Sequence, residues 1–89
     1  MTDKQASVKS TDMPKEMQTE VIDIAKQAAK DTQSDGDIAS KIKAALDEKF
    51  GETWHITVGS SFGSKVSHNE GHFIFFYLGT KAIQAYRFG

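Results

Sequence analysis

In the first half of the chain apolar residues recur every three or four positions; beyond Gly51 they recur every second one. From Met17 onward Val21, Ile24, Ala25 and Ala28 form the stripe of an amphipathic helix reaching about Lys30. "TDMPKE" (11–16) reads as its start, with Asp12 or Met13 at the cap and Pro14 in the first turn, where a missing N–H costs nothing. "DTQSDGD" (31–37) interrupts the pattern. A second helix then begins near Ser34 or Asp35 and places Ile38, Ile42, Ala45, Leu46 and Phe50 on one face. Asp37 and Lys41 are spaced to pair across one turn, and Gly51 is placed to stop the helix.

The two-residue period then governs. "WHITV" (54–58) sets Trp54, Ile56 and Val58 against His55 and Thr57. "FGSKVSH" (62–68) and "HFIFFYL" (72–78) follow, joined by the turn "NEG", and "GT" leads into "KAIQAYRF" (81–88). Short connections predict an antiparallel meander of these four strands, and "ASVKS" (6–10) adds a short strand at an edge. The predicted class is α+β, two helices packed on an antiparallel sheet.

"HFIFFYL" carries more information than the others. Ile74, Phe76 and Leu78 line one face, yet Phe73, Phe75 and Tyr77 line the other. Two helices cover only one face of such a sheet, and a face left to water should be polar. A contiguous aromatic face on a small protein marks an interface. Its simplest occupant is a second copy, giving a two-fold dimer packed sheet against sheet. The alternative occupant is the N-terminal segment or a loop.

Composition narrows the function classes. Eighty-nine residues make one small domain, 1–89, whose first five residues are expected to be disordered. Eleven basic against twelve acidic side chains, net charge −1, give no basic footprint for nucleic acid and no polybasic patch for membrane. No run approaches a membrane span or a signal peptide, so the expectation is a cytosolic protein with no membrane insertion. With no cysteine there are neither disulfides nor thiol chemistry, which leaves the core or a second copy to stabilise the chain.

"VGSSFGSKVSH" (58–68) invites sharper readings, and most of them fail. A phosphate loop needs its glycines one residue further apart, a glycine directly before the lysine, and a helix after it. A metal site built from His55, His68 and His72 has Glu70 on a turn as its only nearby acid. No serine sits in a strand-to-helix elbow, and a chain this short has little room for a pocket, so no enzyme, cofactor or metal site is expected. A thin glycine- and serine-rich strand beside an aromatic floor suits β-augmentation, in which an extended peptide adds a strand. A plain edge strand protected by Lys65 is the other reading of the same residues.

At "TWH" (53–55), "VGSSFGS" (58–64), "HFIFFYLG" (72–79) and the closing glycine, the chain resembles the small, dimeric, hub-type light chains of cytoplasmic dynein. The likeness runs collinearly from Asp12-Met13 through "DIA" (37–39) to Gly89. It implies a strand-exchanged homodimer with the two sheets face to face, in which the strand around 62–67 pairs with the other subunit's sheet. Each of two interface grooves then takes a disordered segment as an added strand, often with a Thr-Gln-Thr core whose glutamine caps the second helix at Asp35–Gly36. Carried over by position, the groove comprises Lys9, Asp35, Gly36, Ser61, Phe62, Gly63, Ser64, Lys65, Val66, Ser67, His68, Phe73, Phe75, Tyr77 and Ala82. The dimer contact comprises His55 together with Phe62, Gly63, Ser64, Lys65, Val66 and Ser67.

The likeness is not complete. Asp35-Gly36 stands where the family has a glutamate-lysine pair, Lys65 replaces a tyrosine, and Ser67 a threonine. Phe75 replaces a tyrosine, and Phe88 replaces a serine that relatives can phosphorylate. The expected function is a non-enzymatic, motif-binding hub of the dynein motor, in the cytoplasm and on the microtubule cytoskeleton. Dynein intermediate chain and other motif-bearing segments are its expected partners. A dedicated axonemal or otherwise specialised light chain, or a hub free of the motor, is the alternative. If His55 is buried uncharged at the interface, the dimer weakens as pH falls through about 6.5.

Overall fold

A computed structural model describes residues 6–32, 34–60 and 71–88. In chain order these form β1 (Ala6–Thr11), α1 (Lys15–Asp31), α2 (Asp35–Phe50), β2 (Trp54–Gly59), β3 (Phe73–Leu78) and β4 (Lys81–Arg87). The α+β class and both helices agree with the pattern of apolar positions. All three strand pairings are antiparallel, and the strand order is β1-β3-β4-β2.

That order corrects the expected meander. β2 lies against β4 rather than one connection away from β3, and the sheet's fourth described strand is β1 at the edge. Residues 62–68, the meander's second strand, lie outside the described residues. A two-residue period identifies strands and faces but carries no information on which strand neighbours which. Only the β3–β4 hairpin, closed through Gly79-Thr80, keeps the sequential pairing.

The helix termini differ slightly from expectation for a physical reason. Pro14 itself is the N-cap of α1, with ψ 152°, and its side chain offers no cap hydrogen bond. Asp12 serves the sheet instead. Its carboxylate oxygens accept from the N–H groups of Gly71 and Phe73, both at 3.0 Å. Thr11 Oγ1 donates to the Phe73 carbonyl at 2.7 Å, so the end of β1 is fastened to the start of β3. At α2 the Ser34 hydroxyl accepts from Asp37 N–H at 3.4 Å. Gly51 ends that helix with φ 86°, a conformation a side chain would strain.

Between the layers lies one core. The helices contribute Val21, Ala25, Ala28, Ile38, Ile42 and Leu46; the sheet contributes Trp54, Ile74, Phe76, Leu78, Ile83 and Ala85. Each large aliphatic or aromatic side chain fully buried here stabilises the fold by about 1.5–3 kcal/mol. The exposed pair between Lys49 and Glu20 (2.7 Å), which links the helices, adds at most about 1 kcal/mol.

Asp47 ties α2 to the sheet and makes stability depend on acidity. Among the described residues it is Lys43–Asp47, rather than Asp37–Lys41, that forms the i, i+4 ion pair on this helix, at 2.5 Å. The other Asp47 oxygen accepts from Trp54 N–H at 2.9 Å, fixing the entry into β2. The Lys43 hydrogen bond, helped by the Trp54 N–H and the charges of Lys43 and His55, holds the Asp47 carboxyl below its ordinary 3.8, although partial burial opposes this. A carboxyl depressed on folding contributes stability above its unfolded pKa and loses it as pH falls through the folded value. In urea titrations the gap between wild type and Asp47→Asn should therefore be constant above about pH 5 and close below about pH 4. A gap unchanged down to pH 3 would contradict the assignment.

Candidate functional site

The strand registers build the sheet's outer face row by row. With Ile74, Phe76, Leu78, Ile83 and Ala85 turned to the helices, the alternate residues turn away from them. Pairing across β3, β4 and β2 aligns Phe73–Tyr86–His55, then Phe75–Gln84–Thr57, then Tyr77–Ala82–Gly59. Ser7 of β1 extends the last row beside Tyr77. The face is thus aromatic along β3, small at one end of β4, and ringed again where His55 stacks on Tyr86 (5.1 Å, 22°).

Local irregularity completes the edge. β1 shifts register between Val8 and Ser10, and a bulge of this kind re-aims the side chain it carries. Lys9 is that residue. Its Nζ lies 5.8 Å from the Tyr77 ring centre, in the attractive field of the ring's face. Phe75 and Tyr77 pack at 5.7 Å with ring planes tilted by 56°. Phe73, Phe75 and Tyr77 are each half-buried, whereas Ala82 and Gln84 are buried. β1 extends this sheet sideways and does not cover its outer face.

The start of α2 is the second part. Ile38 N–H bonds to the Ser34 carbonyl at 2.9 Å, and Asp37 N–H is taken by the Ser34 hydroxyl. The N–H groups of Asp35 and Gly36 have no partner among the described residues, as expected of a first helical turn. Gly36 is exposed, and the Asp35 carboxylate is held by the Lys81 ammonium.

The residues named from sequence divide into three groups. Lys9, Phe73, Phe75, Tyr77 and Ala82 come together on the outer face, and His55 shares that face in the row farthest from Tyr77. Asp35 and Gly36 stand at the helix end. Ser61, Phe62, Gly63, Ser64, Lys65, Val66, Ser67 and His68 lie outside the described residues. Sequence reasoning missed Tyr86, Gln84 and Thr57, because their membership depends on β4 lying between β3 and β2. It also missed Lys81, whose partner is 46 residues away. Phe88 is 51% exposed, and its N–H bonds the Thr53 carbonyl at 3.1 Å.

With this geometry in hand, comparison with known proteins gives a consistent class. The family described as Dynein light chain type 1 matches residues 5–88. The cytoplasmic dynein light chain 1 of Candida glabrata is 45% identical over 83 residues, covering 93% of this chain and 96% of that protein. Among solved structures, the dynein light chain-like domain of the Fasciola hepatica calcium binding protein FhCaBP2 superposes with a TM-score of 0.82 at 28% identity, covering 98% of this chain and 94% of that one. The corresponding domain of CsTAL3 shares the fold, with a TM-score of 0.75 at 20% identity over 92% of this chain and 90% of that one. The fold is that of the dynein light chains. The chain belongs to the dynein light chain type 1 family.

Proposed function

We propose that this light chain is a non-enzymatic homodimeric hub that binds short linear motifs as added strands. The observation that carries the proposal is the outer face built on Phe73, Phe75 and Tyr77, an aromatic floor opposite the helices, on a protein otherwise mixed in charge. A second copy is the occupant that makes that face stable, with the segment around 62–67 pairing across the two-fold axis. The outer edge of β2 supports this reading, because it has no strand beside it among the described residues.

In the resulting grooves backbone pairing supplies most of the affinity, and side chains supply selectivity. The floor is Phe73, Phe75, Tyr77 and Ala82, Lys9 borders it, and residues 61–68 form the pairing edge. The N–H groups of Asp35 and Gly36, unpartnered among the described residues, receive the side-chain oxygen of a glutamine in a Thr-Gln-Thr motif. Gly36 leaves that cap open among the described residues, where a Cβ would meet nothing nearer than Ser34 Oγ at 3.9 Å.

Two grooves on one dimer hold two partner chains in register, and the first binding event raises the effective concentration for the second. The proposed partners are dynein intermediate chain and other disordered segments with such motifs. The proposed setting is the cytoplasm and its microtubules, in keeping with the cytoplasmic light chain of Candida glabrata. Sedimentation of the protein with a monomeric, disordered, single-motif peptide should give one species with two of each chain. A species holding one copy of this chain would contradict the hub.

A further inference from the structure

Lys81 is outside the groove set that family resemblance supplies, yet it bonds one of that set. It heads β4 on the helix-facing side, in line with Ile83 and Ala85, and its ammonium holds the carboxylate of Asp35 in the first turn of α2. Its neighbour Ala82 belongs to the row with Tyr77 on the opposite face. One ion pair therefore joins the helix start to the strand that floors the groove.

We propose that Lys81 is a specificity-determining residue: by neutralising Asp35 it lets the α2 end of the groove take a glutamate side chain as well as a glutamine. This rests on the peptide-binding reading above. Two carboxylates, Asp35 and Asp37, stand in this first turn. A glutamine offers a neutral amide oxygen, so their charge hardly affects it. A glutamate is drawn by the N–H groups of the first turn and the positive end of the helix but repelled by both carboxylates. The Lys81 ammonium offsets one of them, Asp35. Gly36 brings no cation of its own to the turn, which leaves Lys81 as the charge bonded to Asp35. The Lys81 and Asp35 side chains are 26% and 44% exposed, so the pair is neither dry nor fully screened.

The test uses two peptides, identical except for Thr-Gln-Thr or Thr-Glu-Thr, titrated into wild type, Lys81→Met and the double variant Lys81→Met/Asp35→Asn. Repulsion between unit charges about 6 Å apart predicts an extra loss for the glutamate peptide in Lys81→Met of at least roughly three-fold, the limit of bulk-water screening, and up to about a hundred-fold at the weaker screening of a protein surface. The double variant should restore the wild-type ratio, and high salt should shrink the difference. Equal weakening of both peptides in Lys81→Met would make the ion pair purely structural and overturn the proposal, as would an unchanged ratio. Failure of wild type to bind either peptide would remove the peptide-binding reading itself, a result distinct from both.

Discussion

Trp54→Ala should lose about 3–5 kcal/mol of folding stability, the usual cost of emptying a large aromatic site in a core. Trp54 is the largest fully buried side chain, with no exposed area. It packs against Phe50 at 6.1 Å and His72 at 6.2 Å, so it fills the joint between the end of α2, the start of β2 and the approach to β3. Small domains hold only about 5–15 kcal/mol in total, and a chain of this size falls at the low end. Urea unfolding followed by circular dichroism should find the variant largely unfolded or close to its midpoint in water. Trp54→Phe should cost much less, because it keeps a ring in the site and removes an indole N–H that is buried with no partner among the described residues. A Trp54→Ala variant within 1 kcal/mol of wild type would show that the two layers are held elsewhere.

The next residue along β2 has the opposite role. His55 turns away from the core, exposed in the single chain and stacked on Tyr86. If the outer face is the two-fold contact, His55→Lys buries an ammonium with no partner, a defect of about 3–5 kcal/mol charged to association rather than to folding. The dimer constant should weaken by at least a hundredfold, giving a folded monomer with an unchanged circular dichroism spectrum at micromolar concentration. Equilibrium sedimentation reads this directly. A variant that dimerises like wild type would move the interface off this face.

These neighbouring residues also mark what was legible in the sequence. Alternation in "WHITV" sorted Trp54 from His55, and the apolar stripes located both helices and most of the core, because burial imposes its period on each element separately. The pairing partners were not legible. A meander and the observed order contain the same strand pattern, and only the long crossover between β2 and β3 distinguishes them. Side chains that act across that topology were missed for the same reason. Asp12 reads as a helix cap but closes the β1–β3 end. Gln84 is buried in the middle row of the outer face, a position set by β4 lying between β3 and β2. The candidate groove was named chiefly through family likeness. Composition and spacing alone left a peptide edge and a plain edge strand as equal readings.

Calorimetric titration with a Thr-Gln-Thr peptide, against a version with alanine in place of the glutamine, tests the central claim most directly. The account predicts one peptide per subunit for the first and loss of binding for the second, with the amides of Asp35 and Gly36 receiving the glutamine. A folded dimer that takes up neither peptide would contradict it, leaving the light-chain fold with a groove committed to some other partner.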